Sequence, residues 1–201
     1  MVLKMTQLIL YKKNFPPKVK ILELNQNYGF AEGNNIGFNS IDKAEYSIFI
    51  NNDTIVDPGF VEPLINSLEA DKKIMQVSPK IFYNHHKDTI WYAGGKVNFC
   101  HLDILNIKVY KKKDSQIFSI QSKTDYATGC CICMRSNDFD EIGGVSIIFF
   151  PMYCEDLIYH YGFKRWGGKF IMYLILKYGI KFHSQLEEIF SIKKWKQKGV
   201  G

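Results

Sequence analysis

Short apolar runs alternate with segments of helical periodicity along this chain. Residues 46–50 form an apolar-leaning run that ends in polar residues, which predicts a strand. Phe60, Leu64 and Leu68 recur every four positions, which predicts a helix with one apolar face. Such alternation is typical of an α/β fold with a mostly parallel sheet flanked by helices. The predicted strands are 19–24, 46–50, 74–77, 126–134 and 170–176, and the predicted helices are 31–41, 60–70, 136–142 and 155–166.

The helical pattern stops between residues 82 and 122. Short, aromatic-rich and strand-like pieces replace it, which predicts a smaller mixed-sheet region over one end of the domain, where a partner could bind. Ser78 and Pro79 are expected to close the third strand, because proline lacks the N–H that a sheet requires.

A carboxylate and two amides follow the strand at 46–50. Asn51, Asn52 and Asp53 stand where an α/β sheet places its ligand crevice, beyond the carboxyl end of a strand. An ordinary turn is the alternative, since Asn and Asp are favoured in turns and Asp57-Pro58-Gly59 follows closely.

A glycine- and asparagine-rich stretch lies at residues 27–37, between a predicted strand and a predicted helix. Its glycines allow close approach of a ligand to the backbone, and its amides can bind hydroxyls and carbonyls. The glycine spacing matches neither a dinucleotide-binding loop nor a phosphate-binding P-loop. Two interpretations of this stretch therefore remain: a plain loop with a helix cap, or a ligand-binding loop.

An aromatic run at residues 149–153 ends near two adjacent acids, Glu155 and Asp156. Acids at a helix start are explained by capping and by the helix dipole. A carboxylate beside an aromatic wall also suits a sugar site in which it acts as a general base.

Composition limits the class of protein. The chain has 201 residues, 46% of them hydrophobic, and a net charge of +6, which indicates one globular domain or slightly more with a mild preference for anionic partners. No segment has the roughly 18 consecutive apolar residues of a spanning helix, and no secretory signal is visible, so we expect a cytoplasmic location. The lysine run at 193–198 is typical of a solvated tail and also of a segment that contacts the inner face of a membrane. The five cysteines are expected to be reduced and mostly buried.

Several ordered blocks stand out: NQNYGFAEGNNIGF at 25–38, IFINNDTIVDPGF at 48–60, YATGCCICMRSNDFDEIGG at 126–144 and FFPMYCED at 149–156. Together they resemble the family 2 glycosyltransferases, in particular the rhamnosyltransferase-like branch. The resemblance implies a GT-A fold, a nucleotide-diphosphate sugar donor, a divalent metal (Mn²⁺ or Mg²⁺), and inverting transfer to a hydroxyl of a glycan, polysaccharide or lipid-linked acceptor. No nucleic acid partner is expected.

The resemblance also implies roles for individual residues. Asp156 matches the catalytic base, and Glu155 beside it is expected to support the acceptor. Asp53 matches the metal and diphosphate ligand, with Asn51 in place of the family's first acid, and His183 matches a late histidine that binds metal or diphosphate. The implied donor-binding residues are Asn27, Gly29, Gly33, Asn34, Asn51, Asn52 and Asp53, and the implied acceptor-side residues are Trp91, Gly94, Gly95 and Gly129.

Some family features have no counterpart here. The opening strand and nucleotide-binding turn are missing, so we expect an N-terminally truncated catalytic domain at residues 1–185 and a basic tail at 186–201. Ile158 and Gly162 also stand where the family has an acid and an arginine. A truncated, catalytically inactive remnant or a carbohydrate-binding module therefore stays open as an alternative.

Overall fold

The structure, a computed structural model, describes residues 19–86, 88–95, 112–125, 127–145 and 171–182. Within these ranges the chain forms three α-helices, one 3-10 helix and eight strands. The helices are α1 (Gly29–Asn39), α2 (Val61–Ala70), α3 (Ser136–Glu141) and the 3-10 turn Gln116–Ser119. The strands are β1 (Tyr46–Ile50), β2 (Thr54–Val56), β3 (Ile74–Tyr83), β4 (Thr89–Tyr92), β5 (Lys112–Lys113), β6 (Ser122–Thr124), β7 (Cys131–Arg135) and β8 (Ile171–Phe182).

The chain divides into two compact units. One comprises the residues up to Ser47 together with Arg135–Lys169, and the other comprises Ile48–Met134 together with the residues from Phe170 onward. The division falls inside β1 and inside β7, so the strands that carry the Asn51 turn and Cys131 contribute mainly to the second unit.

The second unit is built around β3, which is buried along almost its whole length. On one edge β3 pairs with β8; on the other it pairs first with β7 and then with β4. Helix α2 packs against β3 and β8, and Leu64 and Leu68 on its apolar face are fully buried. The spacing of four that predicted this helix therefore marks its core face.

The prediction of a mostly parallel sheet is wrong for the described strands. The β3–β8 pairing is parallel, whereas β2–β8, β3–β4, β3–β7, β4–β5 and β6–β8 are antiparallel. The connection between β3 and β4 is too short for a parallel crossover, which needs a dozen or more residues. The short strands predicted between residues 82 and 122 do occur, as β4 and β5, but they belong to the same eight-stranded sheet.

Two strand predictions fail in other ways. Residues 19–24 form no strand, and Val19, Leu22 and Leu24 are about two-fifths exposed. An apolar pattern alone does not make a strand, because a strand also needs a neighbour for its backbone hydrogen bonds. Conversely, β3 continues through Pro79 to Tyr83, and the ladder absorbs the proline by a register shift between Pro79 and Lys80.

The first unit contains α1 and α3. Phe38 and Phe139 pack with ring centroids 4.4 Å apart and are both buried. The side chain of Asn35 donates to the carbonyl of Val145 at 2.9 Å and accepts from its N–H at 2.8 Å. The ring contact joins α1 to α3, and the Asn35 bonds join α1 to the segment that follows α3.

Candidate active site

The turn that follows β1 holds the predicted metal-binding residues. Asn51 and Asp53 are half-buried and Asn52 is exposed, while atom Oδ1 of Asp53 is buried. Among the described residues, the side chains of Asn51 and Asn52 make no hydrogen bond. This turn therefore presents two amides and one carboxylate, which are the oxygen donors that a hard cation such as Mg²⁺ or Mn²⁺ prefers.

Two hydrogen bonds fix the backbone of this turn. The N–H of Asn51 donates to the carbonyl of Cys130 at 2.9 Å. The hydroxyl of Thr54 donates to the carbonyl of Asn51 at 2.6 Å. Gly129, predicted to lie on the acceptor side, directly precedes Cys130, so the structure brings it to the same turn as Asn51.

The thiol of Cys130 interacts electrostatically with the carboxylate of Asp53. Burial raises the pKa of Cys130 well above the ordinary thiol value, and electrostatic interactions with Cys131 and with the Asp53 carboxylate raise it further. Cys130, Cys131 and Cys133 are free thiols and buried, which confirms that part of the cysteine prediction. Protonated, inaccessible thiols are poor metal ligands and poor nucleophiles.

The predicted acceptor segment forms a second fixed turn. Trp91 lies half-buried in β4, and Gly94, at φ 93°, adopts a backbone conformation that other residues rarely tolerate. The N–H of Gly95 donates to the hydroxyl of Thr124 at 2.7 Å, and that hydroxyl donates to the carbonyl of Gly95 at 3.0 Å. The N–H of Asp125 donates to the same carbonyl at 2.9 Å. Contact of this turn with an acceptor stays a prediction.

The predicted donor-binding residues at 27–34 lie in the first unit and have local partners. The N–H of Gly29 donates to Oδ1 of Asn27 at 2.9 Å, and the Asn34 amide donates to the carbonyl of Phe30 at 2.8 Å. A Cβ added at Gly33 would meet no atom within 4 Å. These contacts describe a loop and a helix start, the alternative that the sequence left open. Binding of a donor there stays a prediction.

Glu155, Asp156 and His183 lie outside the described residues. His183 nevertheless directly follows Phe182, whose Cα pairs with that of Thr54 in the β2–β8 ladder. Within the described residues no group of three or more His, Cys, Asp or Glu could hold a metal ion. In the same part of the chain, no helix has both the length and the apolar character to cross a bilayer.

Three residues with structural importance were not predicted from the sequence. Thr54 could have been found, because a threonine hydroxyl near a turn commonly bonds to a backbone carbonyl three or four residues before it. Asn35 and Thr124 gave no usable signal, since the partner of Asn35 is 110 residues away and that of Thr124 is 29 residues away.

Comparison with known proteins agrees with the fold. A solved structure described as GalNAc-T7 with UDP, GalNAc and Mn²⁺ superposes with a TM-score of 0.68 at 15% sequence identity, covering 89% of this chain. The chain spans 35% of that protein's length. Similarity at this level shows a GT-A-like glycosyltransferase fold. Comparison with curated protein sequences gives no match.

The family model for glycosyl transferase family 2 matches residues 6–143. This match includes the Asn51–Asp53 turn and the Trp91–Gly95 segment, and it ends before Glu155, Asp156 and His183. Because the matched residues are more than half of the chain, the sequence belongs to glycosyl transferase family 2.

Proposed function

We propose that this protein transfers a sugar from a nucleotide-diphosphate sugar to an acceptor hydroxyl, with a divalent metal at the Asn51–Asp53 turn. Family membership supports glycosyl transfer in general terms. The observation that carries the proposal is this turn, in which two amides and a carboxylate are held at the end of a strand by backbone hydrogen bonds.

The residues at the turn fit a divalent cation. Asp53 supplies a carboxylate, and the side-chain oxygen of Asn51 supplies a neutral ligand. The third proposed ligand, His183, lies outside the described residues and rests on the resemblance of the sequence to the family. We propose that Asp53, Asn51 and His183 hold Mn²⁺ or Mg²⁺. Such an ion would neutralise charge on the departing diphosphate.

Asp156 is proposed as the general base. The acceptor hydroxyl attacks the anomeric carbon as the bond from that carbon to the diphosphate oxygen breaks, and the hydroxyl proton passes to the Asp156 carboxylate. Attack opposite the leaving group inverts the anomeric configuration. Glu155 is proposed to support the acceptor. The sugar transferred is proposed to be a rhamnosyl or hexosyl group.

Calorimetric titration with UDP tests the donor site. Wild-type protein should bind UDP more tightly with MnCl₂ than without it. Asp53→Asn should weaken the metal-dependent binding by about tenfold or more, because losing a charge-assisted contact costs roughly 1.5–3 kcal/mol. Asp57→Asn is the matched control, since it makes the same change four residues later at another half-buried aspartate. Equal binding by all three proteins would exclude a donor site at this turn.

Turnover tests the base. We expect one member of a panel of uridine- and deoxythymidine-diphosphate sugars to release its nucleotide in the presence of an acceptor. Asp156→Asn should abolish this release and leave UDP binding intact, whereas Glu155→Gln should mainly raise the KM for the acceptor. An unchanged rate in Asp156→Asn would place the base elsewhere. Sugar binding that survives Asp53→Asn, without any turnover, would favour a carbohydrate-binding module.

We further propose a cytoplasmic location with peripheral membrane contact through the lysines of residues 193–198. The support is the charge of that run, which would attract anionic lipid. Co-sedimentation with phosphatidylglycerol vesicles should fall as salt rises, and equal sedimentation with neutral vesicles would contradict this proposal.

A further inference from the structure

Thr54 joins the metal-binding turn to the sheet. Its hydroxyl donates to the carbonyl of Asn51 at 2.6 Å, and its Cα is in register with that of Phe182 in β8. Asn51 is held from the other direction as well, because its N–H donates to the carbonyl of Cys130 at 2.9 Å. Both backbone polar groups of Asn51 are therefore engaged before any ligand arrives.

This arrangement sets the direction of the side chains on the turn. With its N–H and carbonyl both bonded, the peptide units on either side of Asn51 cannot rotate without breaking a hydrogen bond. The backbone between Asn51 and Thr54 is then closed into a short loop that contains Asp53. A ligand that binds to such a loop loses less affinity to ordering than one that must first order a mobile turn.

We propose that Thr54 is a positioning residue of the metal and diphosphate site. Its hydroxyl acts on the ligand through Asn51 and Asp53: it fixes the turn so that their side-chain oxygens converge on one cation. The inference rests on the proposed function, because it assigns a role within the same site. Thr54 would then do more than begin β2.

The threonine hydroxyl can be removed with little change of shape. Thr54→Val keeps the branched side chain and replaces the hydroxyl donor by a methyl group. Thr54→Ala removes the hydroxyl and adds no methyl group in its place. Thr54→Ser keeps the hydroxyl and should restore function. Thr124→Val is the matched control, because it makes the same change at a threonine that fixes the turn at Gly95.

The measurement is calorimetric titration of the full chain with UDP, with and without MnCl₂. Thr54→Val and Thr54→Ala should weaken Mn²⁺-dependent UDP binding by about tenfold, which is the effect of losing one good hydrogen bond. Binding without Mn²⁺ should change by less than about twofold. Thr54→Ser and Thr124→Val should both stay within about twofold of the wild-type value with Mn²⁺.

The difference between UDP binding with and without Mn²⁺ distinguishes a positioning role of Thr54 from a general loss of folded protein. A purely structural role would lower the fraction of binding-competent protein and leave the dissociation constant of the remainder unchanged. Positioning changes the dissociation constant itself, and only in the presence of the metal. Hydrogen exchange gives a second measure: the amides of Asn52 and Asp53 should exchange faster in Thr54→Ala than in Thr54→Ser.

The possible failures are distinguishable. Absence of Mn²⁺-dependent UDP binding in the wild type would overturn the proposed function and this inference with it. Metal-dependent binding that is lost in Asp53→Asn but unchanged in Thr54→Val and Thr54→Ala would overturn the inference alone. Equal weakening by Thr124→Val would also overturn it, because the effect would then not be specific to the turn at Asn51.

Discussion

Gly144 offers a sharp test of the packing between α1 and the segment that follows α3. Its φ is +80°, and a Cβ added there would lie 2.6 Å from Oδ1 of Asn35, well inside contact distance. Gly143 has nearly the same backbone conformation, at φ +77°, but a Cβ there would meet nothing within 4 Å. Comparing alanine substitutions at Gly143 and Gly144 therefore separates the cost of backbone strain, which both share, from the cost of a steric collision, which only Gly144 has.

The expected magnitudes follow from these contacts. An alanine in the left-handed region costs about 1–2 kcal/mol, and both substitutions carry this cost. Gly144→Ala must in addition displace the Asn35 side chain, which bonds both the N–H and the carbonyl of Val145. Val145 is 5% exposed, so its backbone groups would lose partners in a buried place. Two such hydrogen bonds contribute about 1–3 kcal/mol together, so Gly144→Ala should destabilise the protein by about 2 kcal/mol more than Gly143→Ala.

Urea unfolding followed by circular dichroism measures this difference. With a slope of about 2 kcal/mol per molar urea, the two midpoints should differ by about 1 M. Asn35→Ala removes the atom that the new Cβ would strike, so the double variant Asn35→Ala/Gly144→Ala should be more stable than the sum of the single effects by about 2 kcal/mol. Equal midpoints for Gly143→Ala and Gly144→Ala, or strict additivity in the double variant, would refute the reasoning.

Two further predictions concern buried groups. The ammonium of Lys80 is buried and contacts both carboxylate oxygens of the partly exposed Asp114 at 2.8 Å, so Asp114→Asn should cost about 1.5–3 kcal/mol in urea unfolding; a smaller cost than that of Lys80→Met would contradict this. Burial raises the pKa of Cys133 to about 12. From about pH 9 upward, unfolded Cys133 would lose a proton that the folded chain keeps, so stability should fall by up to about 1.4 kcal/mol per pH unit. Cys133→Ala should make the slope shallower by that amount, while Cys130 and Cys131, whose pKa values are also raised, keep their contributions; parallel urea midpoints for the two proteins from pH 8 to 11 would exclude the effect.

Elements with a strong local signal were predicted well from the sequence. β1 was predicted with its observed bounds, and α2 was predicted to within one residue of its start. In α2 the apolar spacing coincides with the buried face, so local periodicity and burial agree. The start of α1 at Gly29 was missed by two residues, because the bond from Gly29 to Asn27 begins the helix earlier than its apolar positions indicate.

Strand direction and strand length were not predictable in the same way. The short connection from β3 to β4 requires an antiparallel pair, but the directions of the other two pairings of β3 depend on β7 and β8, which come from distant parts of the chain. β3 is buried along almost its whole length, so it lacks the alternation of buried and exposed positions that would indicate an antiparallel sheet with one face in water. A proline inside β3 is tolerated because the ladder shifts register there, which no local pattern reveals.

The sequence by itself determined that amides and a carboxylate follow an apolar strand, since this depends only on neighbouring residues. It also determined the family, through several ordered blocks. The tertiary structure decided how that turn is held: Asn51 bonds to Cys130, and Thr54 lies in register with Phe182. The physical reason is that hydrogen bonds between distant segments depend on which strands pair and in which register. The local pattern of a single sequence does not specify that pairing.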